Sequence, residues 1–79
     1  MTTETEYFWK AARDARALNA SSDAETACAA IEELVGVALH FVPALSARAL
    51  ALLDALADTG ASRDICAAAA DAVAWCKAS

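Results

Sequence analysis

The sequence predicts an all-α fold, a small antiparallel four-helix bundle made of two helical hairpins. Three observations predict it. β-branched residues are sparse, and only two Gly and one Pro interrupt 79 residues, a composition that suits helices. Apolar residues recur at helical spacing in four stretches, each bounded by capping or breaking residues. The connections between those stretches are short, which makes consecutive helices antiparallel neighbours.

The first helix is expected over about 4–18. Thr3-Glu4-Thr5-Glu6 fits a capping box, and both glutamates lie at the positive helix end. Its inward face is Tyr7, Phe8, Ala11, Ala15 and Leu18, whereas Trp9 falls on the side of Arg13 and Arg16. Asn19 to Ser22 reads as a loop.

The second helix, about 23–42, has the cleanest amphipathic pattern. At about 100° per residue, Ala24, Ala27, Cys28, Ile31, Leu34, Val35, Ala38, Leu39, Phe41 and Val42 share one side. Glu25, Glu32, Glu33, Gly36 and His40 take the other, and Thr26, Ala30 and Val37 lie on a flank. Ser22 and Glu25 fit a second capping box. Pro43 stops the helix, because it lacks an amide donor and restricts the residue before it.

The third helix, about 44–58, starts with Pro43 in its first turn or with Ser46 as its cap. Leu45, Ala49, Leu52, Leu53 and Leu56 form its core face, flanked by Leu50; Ser46, Arg48, Asp54 and Asp58 are polar. Gly60 suits a left-handed C-terminal cap. Ser62 caps the fourth helix, about 63–77, whose inner face is Ile65, Cys66, Ala69, Ala72, Val73 and Cys76. Trp75 points away from that face. The alternative is three helices, with Pro43 kinking one long helix; that extended shape favours a dimer.

A chain of this length makes one domain, 1–79, of marginal stability. The hydrophobic fraction of 59% is largely Ala, which adds helix propensity but little transfer energy. The N-terminal stretch lacks the basic and apolar regions of a signal peptide. The most apolar window, Leu34 to Leu45, is too short to span a membrane. Three cysteines without CxxC spacing suit a reducing cytoplasm, with the thiols packed in the core.

Little here supports catalysis, a metal or a cofactor. His40 is the single histidine, and Cys66 and Cys76 lie too far apart on one helix to chelate together. The pairs Glu32–Glu33 and Asp54–Asp58 read as solvated faces, not as acid–base machinery. No phosphate loop, dinucleotide fingerprint or nucleophile elbow is present. The protein is therefore expected to be no enzyme.

Two surfaces remain as binding candidates. Trp9 and Trp75 are both out of phase with the core of their own helices. Trp9 with Arg13 at i+4 and Arg16 at i+7 allows a cation–π stack, and exposed Trp with Arg is typical of interface anchors. In an up-down bundle the first and last helices are adjacent, so Trp75 could join the same patch. This predicts a protein-interaction module or adaptor whose partner is another protein or a second copy of itself. The second surface is acidic: Glu25, Glu32 and Glu33, in a stretch without Lys or Arg. It could meet a basic protein and imitate phosphates, making the chain an inhibitor of a nucleic-acid-handling complex. Phage anti-CRISPR proteins and toxin-neutralising immunity proteins are similar to it in size and charge alone. The net charge of −5 argues against direct nucleic-acid binding.

Overall fold

The computed structural model describes residues 3–78. The chain forms four helices, α1 (Glu4–Arg16), α2 (Ala24–His40), α3 (Pro43–Thr59) and α4 (Arg63–Ala78). No strand occurs among the described residues. The outermost positions of the expected domain, 1, 2 and 79, lie outside the described residues.

Local chemistry explains most helix ends. Thr3 and Glu6 make the expected capping box: the Glu6 amide donates to Thr3 Oγ1 at 3.1 Å, and the Thr3 amide donates to Glu6 Oε2 at 3.4 Å. At α2 the cap is Asp23, not Ser22. The Thr26 amide donates to Asp23 Oδ1 at 2.7 Å. That bond stabilises the ionised form and lowers the Asp23 carboxyl below its ordinary value. Ser22 is already committed to the loop, where its hydroxyl accepts from the Asn19 amide at 2.9 Å. The Ile65 amide donates to Ser62 Oγ at 3.2 Å, the expected cap of α4.

Pro43 ends one helix and starts the next. Phe41 and Val42 are extended, with ψ of 173° and 151°, and Pro43 occupies the first turn of α3. The kinked three-helix alternative is thus wrong. Ser46 is not the cap either; its hydroxyl donates to the carbonyl of Ala38. The chain turn costs that carbonyl its helical partner, so the bond ties the end of α2 to the start of α3. Gly60 also differs from expectation. Its φ of −59° is not left-handed. Glycine is needed for space: a Cβ there would sit 2.5 Å from the Leu56 carbonyl oxygen and 3.0 Å from Cys66 Sγ.

The core is built on Phe8, Leu34, Val37 and Leu53, the largest fully buried side chains. Burying each contributes roughly 1.5–3 kcal/mol. Small residues fill between them: Ala11, Ala12 and Ala15 from α1, Ala49 from α3 and Ala69 from α4. The buried stripe of α2 runs through Ala27, Ala30, Ile31, Leu34 and Val37. It is rotated toward the flank that a single-sided wheel assigns to Ala30 and Val37, because α2 contacts α1, α3 and α4 together. The rotation leaves Ala24 and Cys28 exposed, so the core role expected of the Cys28 thiol is incorrect. Tyr7 is likewise exposed and rests its ring on Phe41, 5.4 Å between centroids. Cys66 and Cys76 are half-buried, and burial pushes the Cys76 thiol up.

α3 packs most extensively on α4 and α2, and α1 lies across α2 and, less closely, α3. No Cα of α1 comes within 8 Å of one in α4. The expected adjacency of the terminal helices is therefore absent. The molecule is a slab, with extents of 32 × 28 × 17 Å.

Candidate protein-interaction surface

The surface begins with the phase of α1. Phe8, Ala11, Ala12 and Ala15 turn into the core. That orientation sends Lys10 and Asp14 to the α2 flank, and Trp9, Arg13 and Arg16 to the α3 side and the outer surface.

The α2 flank pairs its charges. Lys10 Nζ lies 3.2 Å from Asp14 Oδ2 and 3.3 Å from Glu33 Oε1. Those two hydrogen bonds, Asp14 first, raise the Lys10 ammonium above its ordinary value. Glu33 is thereby drawn in, its side chain only 26% exposed. Its Oε2 atom is buried without a partner among the described residues.

The α3 flank is different. Trp9 is 45% exposed. The guanidinium carbon of Arg48 lies 4.9 Å from the Trp9 ring centroid and 5.2 Å from that of Phe8. Phe8 meets Trp9 edge-on, with centroids 5.4 Å apart. Arg48 of α3 thus clamps the tryptophan that Arg13 and Arg16 were expected to stack on. Arg13 and Arg16 instead line an open depression of about 530 Å³ on α1 itself, with Glu6, Trp9 and Lys10. Neither is ion-paired among the described residues. Arg16 also borders a smaller, apolar depression of about 250 Å³ between α1 and α3, floored by Ala15, Leu52, Ala55 and Leu56.

The remaining predicted residues lie elsewhere. Trp75 is 64% exposed on α4, a helix with no Cα within 8 Å of one in α1, and it does not line the depression that holds Trp9. Glu25 and Glu32 are exposed on α2, while Glu33 belongs to the Lys10 clasp. Arg48 escaped the sequence reading, because its wheel position says only that it is polar. Its partner is 39 positions away in the chain, and no local spacing reveals such a pair. Among the described residues no group of three or more His, Cys, Asp or Glu could hold a metal ion. No described helix is long and apolar enough to cross a membrane. Comparison with known family models, curated proteins and solved structures found no match.

Proposed function

We propose that this chain is a small, non-catalytic interaction module of the cytoplasm. Its two antiparallel hairpins present the α1–α3 flank to a partner protein or to a second copy. The observation that carries this reading is the clamped tryptophan. A large ring is held half-exposed by Arg48 and Phe8, beside two arginines with no ion pair among the described residues. A ring fixed before binding loses little freedom on association, and Trp with Arg is the usual composition of an energetic centre. Trp9, Arg13, Arg16 and Arg48 form that centre. Trp75 lies outside it.

The acidic reading, an inhibitor that offers α2 to a basic surface, draws less support. Glu33 is already engaged by Lys10, which leaves Glu25 and Glu32 as the exposed acids of that patch.

The test is Trp9→Ala. The variant should keep its helical circular dichroism and thermal transition. It should lose the partner captured by the wild type from its native host, or lose self-association measured as solution mass. A folded variant that binds or self-associates as the wild type does would place the surface elsewhere.

A further inference from the structure

We infer that the α1–α3 flank takes an acidic amphipathic helix from another protein. This deepens the interaction reading above and rests on it. The chain carries a net charge of −5, yet Arg13 and Arg16 line one depression of α1 with Trp9, Arg16 also borders the apolar depression between α1 and α3, and Arg48 covers the Trp9 ring. None of the three is ion-paired among the described residues. Positive charge concentrated beside one groove of an acidic protein selects an anionic partner and repels it from the remaining surface. The neighbouring floor of Ala15, Leu52, Ala55 and Leu56 is apolar. A ligand that uses both features has apolar and acidic sides, and a helix with leucines at i, i+3 or i+4 and i+7 provides them. α1 is 13 residues long, or about 20 Å, so it can align with three to four turns of such a partner. A nucleic acid fits less well. It has no use for the apolar floor beside the arginines.

Selection of a displayed library of helical 16-residue peptides on the intact protein tests the inference. Enriched peptides should carry excess Asp and Glu together with an apolar stripe. Their affinity should fall at least tenfold with R13E/R16E, and similarly between low and high salt. Both arginines are exposed and have no ion pair among the described residues, so the double variant should fold, as circular dichroism would verify; salt dependence of the wild type serves if it does not. Enrichment of neutral or basic peptides, no enrichment, or unchanged affinity for folded R13E/R16E overturns the inference. So does tighter binding of a 16-nucleotide single strand at the same arginines. If the inference fails while Trp9→Ala still abolishes capture of the native partner, the interaction reading stands and only the partner's chemistry is wrong.

Discussion

The two flanks of α1 use similar residues to opposite ends. On the α2 side a lysine meets two carboxylates, and the exposed charges neutralise one another. On the α3 side a third arginine arrives from another helix and covers aromatic rings, with no ion pair among the described residues. Guanidinium is suited to this, being planar and weakly hydrated, whereas ammonium prefers discrete oxygen partners. One flank pairs its charges, and the other holds arginines with no acid partner among the described residues. A count of charges on the helix would not separate them.

Phe8 underlies both flanks, and its removal should have the largest effect. Phe8→Ala empties a fully buried site and should cost about 3–5 kcal/mol in denaturant unfolding. That is a large share of the stability of a domain this small. Loss near 1 kcal/mol would mean that α1 repacks easily and that neither flank is rigidly placed.

Arg48→Ala should separate the flanks. It removes the cation from two rings and should cost about 1 kcal/mol. In a Trp75→Phe background the Trp9 emission should move to longer wavelength as the ring gains water. The Lys10 clasp should persist. An unchanged emission maximum would show that Phe8 alone holds the ring.

Lys10→Met should be smallest, because the pair is exposed and screened by salt. Its pH dependence has a definite sign. The folded state raises the Lys10 ammonium, so its stabilisation is complete below the unfolded value near 10.5 and fades as pH rises through the higher folded value. The variant should melt slightly below the wild type at pH 7, and the gap should narrow in strong alkali. A gap that widens with pH would assign Lys10 a packing role through its methylene chain.

Local chemistry was legible in the sequence where two signals agreed. Thr3 has Glu6 three positions on to complete a capping box, Ser62 is followed by Asp64 in the first turn, and Leu45, Ala49 and Leu53 keep i, i+4 spacing. Ser22 and Asp23 are both capping types, and the choice between them depends on a loop bond to Asn19 that spacing does not reveal. The seam of α2 was misphased because one wheel cannot average three neighbours. Short loops made consecutive helices neighbours but said nothing about closure of the bundle, so the missing contact between α1 and α4 was not readable. Trp9 was found because it broke phase. Arg48 broke no pattern, and only the fold brings it to the ring.

The crowding at Gly60 bears on how this chain can vary. A turn that needs a left-handed backbone accepts Asn almost as well as Gly. A turn that needs an empty volume accepts neither Asn nor Ala. With the Leu56 carbonyl, Cys66 and Ile65 around the missing Cβ, position 60 admits one residue type, for reasons of volume. Sequence drift at the α3–α4 junction is therefore confined to the neighbours of that glycine. Gly36, with nothing within 4 Å of its missing Cβ, is under no such restriction.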